Sequence, residues 1–159
     1  MKTKNFNYLI LILSIAAAQL AGVIGSFFTF PNISAWYITL SKPTFSPPDW
    51  LFGPVWVLLY TLMGVAAWLV WKNRQKKNIS EALALYGIQL ALNTLWSIIF
   101  FGWHNVGLAL VETAVLWLMI LATILLFHRV SRVAAYLMLP YLVWVAFAVL
   151  LNWSLWRLN

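Results

Sequence analysis

The chain has 159 residues, of which 64% are apolar and only 8% are charged. Soluble domains usually contain about 45–50% apolar and about 25% charged residues, so this composition excludes a disordered chain, a soluble nucleic-acid-binding protein and an ordinary cytosolic enzyme. It is typical of a polytopic membrane protein, because lipid tolerates an apolar exterior. The net charge is +7 and there is no cysteine, which excludes disulfides, thiolate metal sites and cysteine nucleophiles.

Five apolar segments are long enough to cross a membrane, since a spanning helix needs about 20 residues. In chain order they cover residues 6–27, 50–71, 81–101, 105–127 and 133–156. We therefore predict an all-α, polytopic membrane protein, built as one five-helix transmembrane domain over residues 1–159.

The longest connection, residues 28–49, joins the first two predicted helices. It contains Trp36, Tyr37, Phe45 and four prolines. Long loops in compact proteins are usually functional or disordered, and the combination of prolines with aromatic residues favours an ordered segment. We predict that this loop caps a cavity at the outer end of the bundle.

Basic residues are unequally distributed between the two sides of a five-helix topology. Eight fall on one side, and only Lys42 and Arg157 fall on the other. The eight are Lys2, Lys4, Lys72, Arg74, Lys76, Lys77, Arg129 and Arg132. Because basic connections stay in the cytoplasm, we predict a bacterial cell-membrane protein with its N-terminus in the cytoplasm and its C-terminus outside. This interpretation makes the positive charge a topology signal, so nucleic acid is not expected as a partner.

Aromatic and polar residues from four helices converge at one depth beneath the predicted cap. A rise of 1.5 Å per residue places them roughly 6–18 Å below the outer helix ends. They are Trp56, Asn93, Trp96, Glu112, Trp144, Ala148 and Asn152. Each polar residue alone is most simply an interhelical hydrogen-bonding group that faces the bundle interior. The set as a whole favours a ligand cavity, since such sites combine apolar walls with a few polar groups.

Catalytic constellations are nearly absent from the sequence. His104 and His128 are predicted at opposite faces of the membrane, so they cannot share a metal ion. Glu81 is predicted on the inner side, away from Asp49 and Glu112, so the acidic residues form no catalytic pair. We therefore predict neither a metal site nor a cofactor.

Two pairs of small residues at four-residue spacing allow helices to approach one another closely. They are Ala18 and Gly22 in the first helix and Gly87 and Ala91 in the third. Such pairs serve contacts within a monomer or between monomers, and Gly87 and Ala91 are our candidates for a homodimer contact.

Several motifs along the chain are similar to those of one membrane-protein family. They are Trp36-Tyr37, Lys42-Pro43 and Pro47-Pro48 in the loop, Gly53-Pro54-Val55-Trp56 in helix 2, Gln89 to Asn93 and Trp96 in helix 3, and Pro140-Tyr141, Trp144 and Phe147-Ala148 in helix 5. Through these motifs the chain resembles the tryptophan-rich sensory protein (TspO) family, also known as the translocator protein family.

The resemblance implies a five-helix protein, often a homodimer, whose cavity is capped by the first connection and binds porphyrins such as protoporphyrin IX. The positions that match the family's ligand site form, together with Phe147, our predicted ligand site. These positions are Trp36, Tyr37, Pro47, Trp56, Asn93, Trp96, Trp144 and Ala148. The cholesterol motif of eukaryotic members needs a tyrosine near the end of helix 5, and residues 151–157 contain none, so specific cholesterol binding is not predicted.

Three functions fit these observations. The first, which we favour, is a membrane receptor or carrier for tetrapyrroles or other flat apolar molecules, with Trp56, Trp96 and Trp144 as stacking faces. The second is a light- and oxygen-dependent porphyrin-degrading enzyme, in which the porphyrin is the photosensitiser and Trp56 and Trp144 are its redox-active neighbours. The third is a regulator that responds to its ligand by contacting a partner protein.

Overall fold

The computed structural model describes the backbone of residues 2–75 and 77–159 and the side chains of residues 7–75 and 77–159. Its helices are α1 (Lys2–Ala35), α2 (Asp49–Lys72), α3 (Ser80–Ser97), α4 (Val106–Val130) and α5 (Arg132–Leu158). A short 3-10 turn at Tyr37–Thr39 follows α1, and a π-helical turn at Ile98–Gly102 extends α3.

Each of the five helices is long and apolar enough to cross a membrane, and the described residues contain no strand. The predicted all-α, five-helix membrane fold is confirmed. Three of the eight lysines and arginines used to predict the topology, Lys2, Lys4 and Lys76, are not among the residues whose side chains the structure describes.

The first connection is shorter than predicted, because α1 continues through Pro31 to Ala35. Helical hydrogen bonding is supplemented on both sides of the proline. The Thr29 hydroxyl donates to the Gly25 carbonyl at 3.2 Å, and the Asn32 amide donates to the carbonyl of residue 28 at 2.9 Å. Neither bond reaches the carbonyl of residue 27, which lacks its helical donor because Pro31 has no N–H. The helix nevertheless continues, and its last turn is closed by the bond from the Trp36 amide to the Asn32 carbonyl at 3.0 Å. The expected loop over residues 28–49 is therefore replaced by a connection of residues 36–48.

The helices form a closed ring in the order α1, α2, α5, α4, α3, in which each helix packs against its two neighbours. Although α2 and α3 are consecutive in the chain, they barely touch. Near the α2–α3 and α4–α5 connections the ring is filled by fully buried apolar side chains. Among them are Met63, Val70, Ile120, Phe127 and Met138. Towards the opposite end the ring widens.

Helix α1 changes its neighbour along its length. In its first half the Ser14 hydroxyl donates to the Gly64 carbonyl of α2 at 2.7 Å, and a Cβ added at Gly64 would lie 2.5 Å from the α1 backbone. In its second half the Thr94 hydroxyl of α3 donates to the Ala21 carbonyl at 3.1 Å, and a Cβ at Gly25 would lie 2.9 Å from an α3 side chain. Helix α1 thus crosses from α2 to α3.

Candidate functional site

A cavity of about 540 Å³ occupies the end of the bundle that carries the α1–α2 connection. All five helices and the π-helical turn contribute side chains to its wall. Its volume lies within the range of about 300–1,000 Å³ that is usual for small-molecule sites. Most of the wall is apolar, with a small number of polar side chains.

Seven of the nine predicted ligand-site residues lie on the wall of this cavity. They are Tyr37, Trp56, Asn93, Trp96, Trp144, Phe147 and Ala148. Asn152, which the depth estimate placed in the same layer, lies there as well. The position of each residue along its helix was thus sufficient to predict that these residues of α2, α3 and α5 lie at one level.

Trp36 and Pro47 are not on the wall. The Trp36 ring packs edge-on against Phe100 at 5.3 Å between centroids and stacks on the His104 ring at 4.3 Å. It therefore fixes the start of the connection to the π-helical turn. Pro47 is half-buried in the connection itself, just before α2.

The floor of the cavity is formed by Tyr60 and Asn93, which belong to a hydrogen-bonded cluster completed by the fully buried Tyr141 behind them. The Tyr60 hydroxyl donates to the Asn93 carbonyl oxygen, and the Asn93 amide donates to the Tyr141 hydroxyl oxygen at 3.0 Å. An asparagine side chain has two donor hydrogens and two acceptor lone pairs. Asn93 therefore keeps one donor and one acceptor site beyond this cluster, which links α2, α3 and α5.

Stacked aromatic rings form two parts of the wall. Trp56 of α2 stacks on Tyr60 with 5.4 Å between ring centroids. Trp96 of α3 stacks on Phe100 of the π-helical turn at 4.9 Å. Offset ring pairs at these distances are favourable, so each tryptophan is held with one face against its own helix neighbour.

The rings of α5 complete the aromatic wall. Trp144 meets Phe52 of α2 edge-on at 5.9 Å and lies 5.7 Å from Phe147. Phe147 in turn contacts Phe45 of the connection at 6.3 Å. The aromatic surface thus runs from the floor of the cavity to its loop-covered end.

The connection is tied to both neighbouring helices. Lys42 lies over the Tyr37 ring, 3.9 Å from its centroid, and its ammonium group is 3.5 Å from an Asp49 carboxylate oxygen at the start of α2. The Asn159 side chain accepts from the Ser41 amide at 2.9 Å and donates to the Ser41 carbonyl at 3.1 Å. The cap is therefore fastened to α2 and to the end of α5.

Tyr37 presents a neutral phenol beneath the cap. Burial raises its pKa above the ordinary value, and the nearby Asp49 carboxylate adds to the rise. A phenol whose pKa exceeds about 10 keeps its proton throughout the physiological range. The Tyr37 hydroxyl can therefore act as a hydrogen-bond donor at the loop-covered end of the cavity.

Two buried polar atoms on the wall have no hydrogen-bond partner among the described residues. They are the indole nitrogen of Trp96 and the carbonyl oxygen of Asn152. The Asn152 amide nitrogen is already bonded to the Thr113 hydroxyl at 3.3 Å. Unpaired buried polar groups are costly, but both atoms are covered by protein atoms, so a molecule in the cavity reaches them only after these side chains rotate.

Glu112 is buried, as its place in an apolar helix requires, but it is not on the cavity wall. Neither of its carboxyl oxygens has a partner among the described residues. The neighbouring Thr113 reaches the wall in its place. The sequence therefore located the correct turn of α4 and missed which side chain faces the cavity.

Tyr60 and three polar residues of α1 also line the cavity, although they were not among the predicted site residues. Gln19, Ser26 and Thr29 all line the cavity from α1. Their spacing of seven and three residues puts them on one face of a helix. Polar residues on one face of a spanning helix point to a protein interior, so this signal was available in the sequence.

Taken together, the fold and the site define an integral membrane protein with five helices and a largely apolar cavity at the end that carries the α1–α2 connection. The sequence model of the TspO/MBR family matches residues 14–157. The chain therefore belongs to the TspO/MBR family.

Relatives from several branches of life resemble nearly the whole chain. The tryptophan-rich protein TspO of Archaeoglobus fulgidus is 43% identical over 96% of this chain and 99% of its own length. The human translocator protein is 41% identical over 90% of this chain and 86% of its own length. The tryptophan-rich sensory protein of Cereibacter sphaeroides is 42% identical over 78% of this chain and 77% of its own length.

Removal of one floor hydroxyl tests the role of the hydrogen-bonded cluster. Tyr60→Phe leaves the Asn93 carbonyl without its donor, so we expect the free energy of unfolding in detergent to fall by about 1–3 kcal/mol. Tyr136→Phe, at a position that is 59% exposed, is the matched control and should leave the melting temperature unchanged. Equal melting temperatures for wild type and Tyr60→Phe would contradict the assigned role of the cluster.

Proposed function

We propose that the protein is a membrane receptor or carrier that binds tetrapyrroles of the protoporphyrin IX type, and other flat apolar molecules, in the capped cavity. The observation that carries this proposal is the combination of aromatic rings from α2, α3 and α5 with a polar floor in one cavity. Relatives bear the names translocator protein and tryptophan-rich sensory protein, which agree with carrying and sensing respectively.

The chemistry of the wall matches the chemistry of a porphyrin. A flat macrocycle needs flat apolar faces, which Trp56, Trp96 and Trp144 supply by stacking. Its polar edge needs hydrogen-bonding partners, and the polar side chains of the wall, such as Asn93, supply them. The remaining donor and acceptor of Asn93 lie at the floor.

A dark titration of the detergent-solubilised protein with protoporphyrin IX, followed by quenching of tryptophan fluorescence, tests binding. We expect saturable quenching that is absent from empty micelles. Trp144→Ala removes a stacking face and should weaken the affinity about tenfold, which is about 1.4 kcal/mol. Trp153→Ala, on the same helix but 52% exposed, should bind as wild type does.

Equal affinity in wild type and both variants would move the site away from α5. Quenching that rises without saturation would mean partitioning into the micelle and would remove the tetrapyrrole assignment. Asn93→Ala is a further variant, and it needs the melting temperature measured beside its affinity because Asn93 also holds three helices together.

Light- and oxygen-dependent degradation of the bound porphyrin is the second candidate. Trp56 stacks on Tyr60 and lies 6.1 Å from Tyr141, so three oxidisable rings meet at the floor of the cavity. In this reaction the excited porphyrin is the photosensitiser and molecular oxygen the oxidant, and no general acid, base or metal is required.

Trp56→Phe tests this candidate because it retains an aromatic face and loses the easily oxidised indole. We expect the variant to bind protoporphyrin IX and to lose the distinct product that wild type forms under illumination in air, as resolved by chromatography. The same products at the same rate from wild type, Trp56→Phe and empty micelles would exclude an enzymatic role.

Membrane orientation and self-association follow from the two faces of the bundle. The basic residues Lys72, Arg74 and Lys77 lie at the α2–α3 connection, and we propose that this end faces the cytoplasm of a bacterial cell.

Gly87 and Ala91 are exposed on the outer face of α3, and a Cβ at Gly87 would meet no atom within 4 Å. We propose that a second copy of the chain packs here.

Because the chain has no cysteine, single-cysteine variants test both proposals. In right-side-out vesicles an impermeant maleimide should label Thr44→Cys and spare Arg74→Cys. Oxidation should cross-link two copies of Gly87→Cys, whereas Leu118→Cys, 58% exposed on α4, should stay monomeric. The reverse labelling pattern would invert the topology, and equal cross-linking at both positions would exclude a specific α3 contact.

A further inference from the structure

The cavity has a side opening between α1 and α2, and the contacts that close its inner end begin at Gln19. The Gln19 amide donates to the Val57 carbonyl at 2.9 Å and to the Thr61 hydroxyl at 3.0 Å. From this point towards the capped end, α1 leans towards α3, where the Thr94 hydroxyl bonds the Ala21 carbonyl. Three residues beyond Gln19, α1 still meets α2 at Gly22, where an added Cβ would clash with the Tyr60 ring. The opening therefore lies between this contact and the end of the bundle that carries the α1–α2 connection.

Several side chains between the level of this contact and the end of the bundle that carries the connection both line the cavity and are exposed on the outer surface. On α1 they are Val23 and Phe30, which are 50% and 71% exposed; on α2 they are Val57 and Trp50, which are 58% and 72% exposed. Gly53, also on the wall, has no atom within 4 Å of a Cβ built on it. The α1–α2 opening, bounded by these five residues, is therefore a lateral mouth.

The opposite walls of the cavity are closed. Asn93 of α3, Thr113 of α4 and Asn152 of α5 line it and are 5%, 2% and 3% exposed. The loop-covered end is fastened by the contacts of Lys42 and Ser41 described above. A ligand that approaches the cavity from the α3–α5 side is therefore blocked by packed helices, and at the end of the bundle by the fastened connection. Between α1 and α2 it instead finds exposed, mostly apolar wall residues.

The environment of the α1–α2 opening is the bilayer. Both flanking segments, Asn7–Ala35 and Asp49–Lys72, are membrane spans, so acyl chains must lie against the exposed side chains between them. The residues around the opening are mostly apolar, and the hydroxyls of Ser26 and Thr29 are bonded to carbonyls of their own helix. Such a surface is compatible with acyl chains and with the flat face of a macrocycle. Trp50, at the outer end of α2, stands where indole rings favour the interface.

We propose that the α1–α2 opening is the route by which ligands dissolved in the membrane enter the cavity, and that lipid acyl chains occupy it when no ligand is bound. The ligand class is then narrower than flat and apolar: it is a molecule that partitions into the bilayer and keeps its polar edge near the headgroups. The entry route rests on the proposed function, whereas acyl-chain occupancy does not.

A bulky side chain at Gly53 should obstruct this route. The open space around Gly53 accommodates Gly53→Phe without displacing the helices, and Ala84→Phe adds the same ring at an exposed position of α3. Proteoliposomes are mixed with vesicles that contain protoporphyrin IX, and binding and release are followed by stopped-flow fluorescence. We expect Gly53→Phe to slow association and release about tenfold, and Kd is measured beside the two rate constants because Gly53 lines the cavity.

Two outcomes of this measurement would overturn the entry route. One is an unchanged association rate in Gly53→Phe. The other is a raised Kd with no slowing of association, which would mean that Gly53 contacts bound ligand. Ala84→Phe should match wild type in both rate constants.

Fastening the cap distinguishes lateral entry from entry through the loop. Ser41→Cys with Asn159→Cys places a cysteine pair where the two residues already form two hydrogen bonds, in a chain without native cysteine. Lateral entry predicts equal association rates before and after oxidation. Slower association in the oxidised protein would instead make the loop the gate.

A phosphatidylcholine with a diazirine on its acyl chain tests occupancy without any porphyrin. Illumination of proteoliposomes should label wall residues of α5 such as Trp144 and Ala148, and Gly53→Phe should reduce that labelling while leaving the lipid-facing Leu118 labelled. If only lipid-facing residues such as Leu118 were labelled, lipid would not enter the cavity, and the proposed opening between α1 and α2 would be wrong. Internal labelling without saturable porphyrin binding would keep the opening and remove the tetrapyrrole function, so the two failures are distinguishable.

Discussion

The bundle is organised by the requirement that polar groups inside a membrane find their partners within the protein. Asn93 meets this requirement by bonding Tyr60 and Tyr141, so a single amide connects α3 to α2 and α5. On one side of this level apolar side chains fill the ring of helices, and on the other side the cavity begins. The floor of the cavity is therefore also the point at which three helices are fixed relative to one another.

A cavity in a helix bundle lacks the dispersion contacts that a filled core would make. In this bundle many of the aromatic contacts beside the cavity are made at the π-helical turn. The π-helical turn after α3 adds a residue to the helical period, and both Phe100 and Phe101 are buried as a result, at 1% and 7% exposure. Phe100 stacks on Trp96, and both phenylalanines make edge-to-face contacts with Trp36. The irregular turn thus supports the wall on one side and the cap on the other.

The sequence was sufficient for the features that depend on length along a helix. Apolar runs located the five helices, and depth alone brought Trp56, Asn93 and Trp144 to one cavity, because rise per residue is constant. It was insufficient for features that depend on rotation and on neighbours. Trp36 faces the π-helical turn instead of the cavity, and α1 continues past Pro31 although the proline removes one helical hydrogen bond. Neither result follows from the order of residues in one segment.

The two boundaries of the cavity differ in their chemistry, and this difference decides how each can behave. The cap is held by a cation over a ring, an ion pair and two hydrogen bonds, directional contacts that fix a loop in one position. The α1–α2 boundary is mostly apolar beyond the contact of Gly22 with Tyr60, and contacts between apolar side chains and acyl chains have no preferred geometry. A molecule that displaces lipid there exchanges one apolar contact for another, whereas passage through the cap must break hydrogen bonds. This difference is the physical basis of the proposed entry route between α1 and α2.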